Sequence, residues 1–437
     1  MQLNRIQLSD DNIRKILGRF RVNYLAKKHG AILRKERKFS TIDLILSFWQ
    51  LICFGEFSYD KWAIQLGVLT KQNISGQAIW KRMNKPILNV LKELLDKSLK
   101  QNFDKTIDSS VFKPFTNVYI QDATHFRLPS VLSSVYPGSY SKRGESATAK
   151  VQAIFNLSKG MFSDFQLHSF RDNDQKDSIR IIDFLKEGDL VIRDLGYHVV
   201  DVFSKFKKKK SFFLSRFKQG TIVFSTEGKR INLLKKIKRH GQLDMDIELS
   251  CSYRLPCRLV MIAVPEHVAN ERRRKAKNDR NKRANHSKEY FKLLGYTLYI
   301  TNVPRDIWPN IDFIEVAYRS RWYIEILFKG WKSSLKLKLD IARRYLDKQR
   351  VEFIYYTSLL IVSLVVMPVF RALQKECSSK KYDISIMKVC TAIHQQITLI
   401  THGFSIKKIA NFIKTISRYE VRKDRNNAIM NMQLPIP

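Results

Sequence analysis

The sequence predicts an α/β protein in which a mixed sheet and its covering helices lie between two helical segments. Three observations predict it. Apolar residues recur at helical spacing over residues 1 to about 100. From about 116 the period changes to two, and strands alternate with amphipathic helices. From Asn310 the helical pattern returns and runs nearly to the end. The chain has 437 residues, 44% of them apolar and 27% charged. That composition supports a sizeable core and excludes global disorder.

The first segment holds two strongly periodic stretches, IDLILSFWQLICF and ILNVLKELLDKSL. Between them lie YDKWAIQLG, a polar turn, and Ser75–Met83, with Ser75 as the expected N-cap. The second of these two short helices carries Gln77, Lys81 and Arg82. This form fits a DNA-reading helix-turn-helix and equally an ordinary helical hairpin.

In the middle segment, Thr116–Asp122 is a strand expected to end at its acid. Lys150–Asn156 and Phe162–Phe170 are further strands, and Gln175–Glu187 has amphipathic helical spacing. Gly188 opens the strand DLVIRD, which ends at Asp194, and Ser211–Phe217 is one more strand. Residues 221–300 break the alternation, with strand-like DMDIELSCSYRL, CRLVMIAVP and YTLYITNVP around the basic run ERRRKAKNDRNKR. The pattern is that of a β-rich insertion.

Phe353–Phe370 carries no charge and is nearly long enough to span a bilayer. It stands alone, contains Pro368 and has basic residues on both flanks. It is read as a helix buried in a large soluble core, so no membrane partner is expected. Residues 373–437 read as amphipathic helices without a chemical motif.

Lys plus Arg number 79 against 40 Asp plus Glu, a difference of +39. The usual partner of such a surface is a polyanion, most often nucleic acid. Runs at Lys205, Lys207–Lys210, Arg272–Lys275 and Lys277 fit either a solvated surface or a phosphate track. The net charge favours the track. Cys53, Cys251, Cys257, Cys377 and Cys390 are odd in number and lack CxxC spacing, as expected of reduced thiols in a cytoplasmic protein. The amphipathic N-terminus lacks a secretory pattern. No glycine-rich phosphate loop is present, so no nucleotide cofactor is expected.

Asp122 and Asp194 each close a strand. If those strands are adjacent and parallel, both carboxylates emerge at one sheet edge, where α/β proteins build sites. Two acids there suit a hard divalent cation. Asp189 begins its strand and so belongs to the opposite edge. For either aspartate alone, a turn-capping role is the ordinary reading. His125 and His198 follow the two aspartates, but no metal-ligand spacing involves them. They are read as structural or supporting residues.

The stretch AYRSRWYIEILFKGWKSSLK holds Tyr318, Arg321, Glu325 and Lys332. At about 100° per residue, the four share a helical stripe roughly 60° wide. An acid, two cations and a phenol on one stripe fit a site or a solvated ion-paired face. The spacing Tyr-x2-Arg-x3-Glu-x6-Lys resembles the signature of bacterial insertion-sequence transposases of the "insertion sequence four" family. The strand contexts of Asp122 and Asp194 are similar to the family's. So are Arg-Trp-x-Ile-Glu-x-x-Phe-Lys at 321–329 and Thr-Asn-Val-Pro at 301–304. The resemblance covers about 115–340 well and the N-terminal helices more loosely.

This resemblance implies a ribonuclease-H-like core at 101–220 and 301–372, interrupted by the β-rich insertion at 221–300. A helical DNA-binding domain at 1–100 would precede it, and a helical dimerisation region at 373–437 would follow. Asp122, Asp194 and Glu325 would be catalytic and bind two divalent ions, normally Mg²⁺, with Mn²⁺ able to substitute. Tyr318, Arg321, Lys329 and Lys332 would hold phosphates, and Gln77, Lys81 and Arg82 would contact transposon ends. The reaction implied is cut-and-paste transposition between terminal inverted repeats and target double-stranded DNA, carried out by a homodimer in the cytoplasm. Some relatives trap a flipped base with an insertion-domain Trp, but residues 221–300 contain none. The rival readings are a metal-dependent nuclease without strand transfer and a non-catalytic end-binding regulator.

Overall fold

Short polar side chains start most of the helices, and the strand-spaced segments pair into sheets. The computed structural model describes residues 12–33, 36, 38–54, 56–101, 109–141, 144–240, 242–250, 254–279, 287–334, 340–341, 347–377 and 382–420. In chain order the first elements are α1 (Ile13–Arg19), α2 (Val22–Lys28), α3 (Thr41–Phe54), β1 (Glu56–Phe57), α4 (Tyr59–Thr70), α5 (Gly76–Arg82) and α6 (Lys85–Leu99). Asn12, Ser58, Ser75 and Asn84 each accept an amide from the first turn of the helix that follows.

Next come β2 (Val118–Leu128), β3 (Pro137–Ser141), β4 (Gly144–Asn156), β5 (Met161–Ser169), α7 (Asp174–Asp177), β6 (Leu190–Arg193), α8 (Val200–Lys208) and β7 (Phe212–Arg216). They are followed by β8 (Val223–Phe224), α9 (Leu233–His240), β9 (Leu243–Leu249), β10 (Leu255–Ala263), α10 (Glu266–Lys277), α11 (Lys288–Leu293) and β11 (Tyr296–Thr301). The last are α12 (Ile311–Arg319), α13 (Trp322–Ser334), β12 (Asp340–Ile341), α14 (Lys348–Ile361), α15 (Met367–Cys377), β13 (Tyr382–Ile384), α16 (Ile386–Gln395), α17 (Ile397–Thr401), α18 (Ile406–Ser417) and β14 (Arg418–Glu420).

Four features differ from the sequence expectation. The strand through Asp122 does not end there but continues to Leu128. Residues 175–187 are not one helix: α7 is a single turn, followed by a 3₁₀ turn at Arg180–Phe184. The Ser178 carbonyl is taken by the Arg193 guanidinium, which withdraws it from a helical ladder. Among its described residues the stretch 221–300 contains three helices besides its strands, and β9, β10 and β11 continue the sheet that holds β7. Finally, the signature helix is broken. α12 stops at Arg319 and α13 starts at Trp322, with i→i+3 bonds from Ser320 and Arg321 closing the first helix.

The described chain forms two units. The first gathers the described parts of 12–101, 123–172 and 322–420; the second gathers 109–122 and 173–321. Among the points where the chain passes between them are Asp122, Asp172 and the α12–α13 break.

In the second unit, β2, β6 and β7 run parallel, and β11, β10, β9 and β8 follow antiparallel. Gly188 precedes β6 with a φ of +80°, and a Cβ there would lie 2.8 Å from Thr116 Oγ1, so glycine is required. The Thr-Asn-Val-Pro segment serves the free end of β7. Asn302 accepts the Phe213 amide at 2.7 Å and donates to the Ser211 carbonyl at 2.9 Å, while Thr301 Oγ1 donates to the Phe213 carbonyl at 2.6 Å. Phe203 of α8 stacks on Phe213 at 4.5 Å.

In the first unit, β4 pairs antiparallel with β5 and β3, and α13 lies against this sheet. Trp331 packs on Phe162 and Phe165, with ring centroids 4.8 and 5.4 Å away. Gly330 lets α16 approach, since a Cβ there would meet Cys390 Sγ at 3.2 Å. Residues 348–376 form one helix that is long and apolar enough to cross a membrane by length and composition, yet 94% of its apolar window is buried in protein. Trp49 donates to the Thr357 carbonyl at 3.0 Å, Lys92 pairs with Glu352 at 2.7 Å, and Phe48 packs on Phe353. Pro368 lacks an amide and crowds the turn before it, and there the helix widens to π geometry at Val362–Val366.

Leu360 has no exposed surface. Leu360→Asp should therefore cost several kcal/mol, roughly the penalty of an unpaired buried charge. The expected outcome is loss of soluble protein or a collapsed melting transition. Circular dichroism and the soluble yield on expression check it.

Candidate active site

The site begins with the residues that precede the two strand aspartates. β2 and β6 are in parallel register from Val118↔Leu190 to Gln121↔Arg193. The last pair is also joined through side chains. The Arg193 guanidinium, fully buried, donates to Gln121 Oε1 and to the Ser178 carbonyl. Gln121 Nε2 donates to Asp177 Oδ2 and to the Asp177 carbonyl, each at 2.9 Å. Arg180 pairs with the same Asp177 at 2.8 Å. Burial pulls the Arg193 pKa down, and its charge lies over the rings of Phe206 at 5.0 Å and Tyr197 at 5.8 Å.

Asp122 and Asp194 are the next residues on these two strands. The pairing with β6 ends at Gln121, although β2 itself runs on, so the two carboxylates leave the ladder side by side. Both reach one guanidinium: Arg321 Nη1 lies 3.2 Å from Asp122 Oδ2, and its Nε lies 4.0 Å from Asp194 Oδ1. The Tyr318 hydroxyl donates to Asp194 Oδ1 at 3.3 Å. Tyr318 and Arg321 are buried, whereas the Asp194 side chain is 45% exposed. Burial is the main cause that pushes the Tyr318 phenol well above its usual range. It stays protonated and acts as a donor.

Asp122, Asp194, Tyr318 and Arg321 thus come together within the second unit. Glu325, Lys329 and Lys332 are on α13, within the first unit. There they line a cleft of about 660 Å³ with Ala123, Thr124, His125, Phe126, Arg127 and Phe328. The Lys332 ammonium sits 5.3 Å from the Phe126 ring centre, and burial lowers its pKa. Because of the α12–α13 break, the four signature residues do not share one helical stripe; Glu325 and Lys332 share α13, Tyr318 is in the last turn of α12, and Arg321 lies in the break.

The remaining candidates are placed as follows. Ser75 caps α5 by accepting the Ala78 amide at 3.3 Å. Gln77 and Lys81 are exposed on that helix. Arg82 is half-buried and pairs with Glu36 at 2.6 Å, so its charge is already engaged. Asp189 is buried and accepts from the Lys186 amide at 2.8 Å and Asn117 Nδ2 at 2.9 Å, which makes it a turn residue. Lys205, Lys207 and Lys208 project from α8, and Lys209 caps it.

Sequence reasoning missed Gln121 and Arg193. Their polar side chains inside a strand otherwise built of apolar residues were the available signal.

The donor set can be tested against a metal ion. Two carboxylates from neighbouring strands converge on a single positive group, and all donors are oxygen. That chemistry fits a hard divalent cation. Among the described residues, no group of three or more His, Cys, Asp or Glu is spaced to hold one.

Comparison with known proteins bears on this geometry. A family model described as "Transposase DDE domain" matches residues 113–362. The transposase for insertion sequence element IS231B of Bacillus thuringiensis subsp. berliner is 28% identical over 421 residues, covering 91% of this chain and 87% of its own. The transposase for IS1151 of Clostridium perfringens is 26% identical over 298 residues, covering 63% of each. Among solved structures, a piggyBac transposase synaptic complex with hairpin DNA aligns with a TM-score of 0.45 and 8% identity, over 92% of this chain and 82% of that one.

The loop after Asp194 yields a pH prediction. His198 is buried, with Nδ1 3.2 Å from the Arg216 carbonyl and Nε2 3.4 Å from Thr221 Oγ1. Burial, opposed by the Arg216 carbonyl and aided by Lys218 and Arg193, lowers its pKa from 6.5 to about 4. The unfolded chain therefore binds more protons between those values. Stability is complete above the ordinary histidine pKa and falls as pH drops through that window. His198→Gln should remove about 3 kcal/mol of this acid dependence. Denaturant midpoints measured across the window, for both proteins, check it.

Proposed function

This chain belongs to the family of transposases with a DDE domain, and from that premise we propose that it moves an insertion sequence by cut-and-paste transposition. It is an enzyme that acts on DNA, as a DNA transposase, and the family depends on divalent metal ions. The observation that carries the reading is the delivery of Asp122 and Asp194, by adjacent parallel strands, onto one buried guanidinium.

In this reading Asp122 and Asp194 are metal-binding carboxylates, and the metal is Mg²⁺, with Mn²⁺ as a substitute. Glu325 is proposed as the third catalytic acid from its place in the Tyr-x2-Arg-x3-Glu-x6-Lys signature. Bound divalent ions would activate the attacking water or 3′ hydroxyl and stabilise the leaving oxygen at phosphorus. The chain's own contribution is position. The Gln121–Arg193 bond holds the spacing of the two aspartates. Arg321 offsets their mutual repulsion, and the Tyr318 hydroxyl orients Asp194. Lys329 and Lys332 are proposed phosphate contacts. Gln77 and Lys81 are the proposed end-reading residues of α5, with Arg82 holding that helix to Glu36.

We further propose that two copies pair the transposon ends before transfer to target DNA, and that the protein works in the bacterial cytoplasm. The burial of the 348–376 helix in protein supports that location.

Asp122→Asn, Asp194→Asn and Glu325→Gln should each abolish cleavage of a labelled transposon end in Mg²⁺ while leaving end binding intact. Each swap keeps shape and removes the charge a hard cation needs. A variant that cuts at near-wild-type rate removes its residue from the site. Joining of the freed 3′ end to a target plasmid separates a transposase from a nuclease.

Lys332→Ala should lower end affinity and reduce the log–log salt slope by about one unit, as the loss of one phosphate contact does. Equilibrium binding across a salt series checks it; an unchanged slope argues for a purely structural lysine.

A further inference from the structure

The register that sets Asp122 beside Asp194 continues one strand further. β6 and β7 are parallel and paired from Leu190↔Phe212 to Arg193↔Ser215. The next residues are Asp194 and Arg216, so Arg216 closes β7 at the edge where the aspartates emerge.

The side chain is held ready. The two rings beside it, Tyr299 and Tyr318, pack at 4.9 Å between centroids. The Arg216 guanidinium lies 5.8 Å from the first ring centre and 6.0 Å from the second. Its backbone carbonyl accepts from Ser215 Oγ at 3.1 Å and lies 3.2 Å from His198 Nδ1. The neighbouring arginines are engaged: Arg193 by Gln121, Arg321 by Asp122, and Arg272 by the Leu294 and Tyr296 carbonyls. Among the described residues, Arg216 has no carboxylate partner. A half-buried guanidinium supported on aromatic faces, with its charge uncommitted, presents a planar fork suited to bidentate phosphate binding.

We propose that Arg216 grips a backbone phosphate of the DNA strand cut at the Asp122–Asp194 edge, with Tyr299 as the flat support for its guanidinium. This rests on the reading of that edge as the catalytic one. Arg216 is then a substrate-binding residue outside the Tyr-Arg-Glu-Lys signature. It also gives His198 a role, since that ring fixes the backbone from which Arg216 projects.

The experiment uses the full chain and a set of transposon-end duplexes, each with one neutral methylphosphonate near the cleavage junction. Wild type, Arg216→Gln and Arg216→Lys are compared. Arg216→Gln should lose about tenfold in end affinity and about one unit of salt slope, the signature of one lost phosphate contact. Arg216→Lys should keep the slope, because the charge remains. One methylphosphonate, within a few nucleotides of the scissile bond, should weaken wild type and leave Arg216→Gln unaffected. If every methylphosphonate weakens wild type and Arg216→Gln equally, no phosphate contact exists. A fall in melting temperature with unchanged slope makes Arg216 a packing residue and overturns the proposal. If the coupled phosphate is remote from the junction, the placement of Arg216 is wrong. The reading of the edge fails separately, if Asp194→Asn still cleaves.

Discussion

The Arg193 guanidinium is closed off from water and donates to Gln121 and to the Ser178 carbonyl. A buried charge of this kind costs several kcal/mol unless its surroundings compensate, roughly as for any desolvated ion. Here the compensation is partial: Nη2 makes two hydrogen bonds and two aromatic rings lie near the charge, while Nε and Nη1 are buried without a hydrogen-bond partner among the described residues. The consequence reaches beyond stability. Gln121 and Arg193 are register partners and sit one residue before Asp122 and Asp194. Locking them together locks the separation of two carboxylates that would otherwise repel. The same Arg193 takes a carbonyl from the 175–187 segment, which is why that segment turns rather than running as a helix.

Charge compensation is the second theme of the site. Asp122 and Asp194 share Arg321, and the Tyr318 phenol, kept protonated by burial, adds a neutral donor to Asp194. One edge therefore carries acids, a paired cation and, one strand over, Arg216, which has no carboxylate partner among the described residues. In the proposed reading, the positive groups that balance the carboxylates are oriented before metal and substrate arrive.

The elements around the site serve to hold those strands. Asn302 ties the β11–α12 turn onto β7, and β9 and β10 extend the sheet beyond it. In the other unit, the 348–376 helix is the apolar spine against which α3 and α6 pack, with Trp49 and Lys92 bonded directly to it. The charge-free stretch Phe353–Phe370 within it is buried in protein, which accounts for its composition without lipid contact.

Much was legible in the sequence. Strand periodicity located the two aspartates on strands, Ser75 and the other caps marked helix starts, and the 321–332 spacing carried the family resemblance. These are local properties, set by alternation, capping chemistry and residue type, and no tertiary contact is needed to read them. Other features depended on partners remote in the chain. Whether β2 ran on past Asp122 depended on its other neighbour, β4, since the pairing with β6 ends at Gln121. The helical stripe from Tyr318 to Lys332 failed at Ser320 and Arg321, where Arg321 is drawn onto Asp122, 199 residues away. Arg82 looked like a free basic residue until Glu36 claimed it. Arg193 read as an ordinary strand residue, yet its burial sets the spacing of the carboxylates. The sequence by itself determined which residue types carry the chemistry and on which elements they sit. Tertiary structure alone decided which charges meet, because the energy of an ion pair depends on separation and burial, and neither is written in residue spacing.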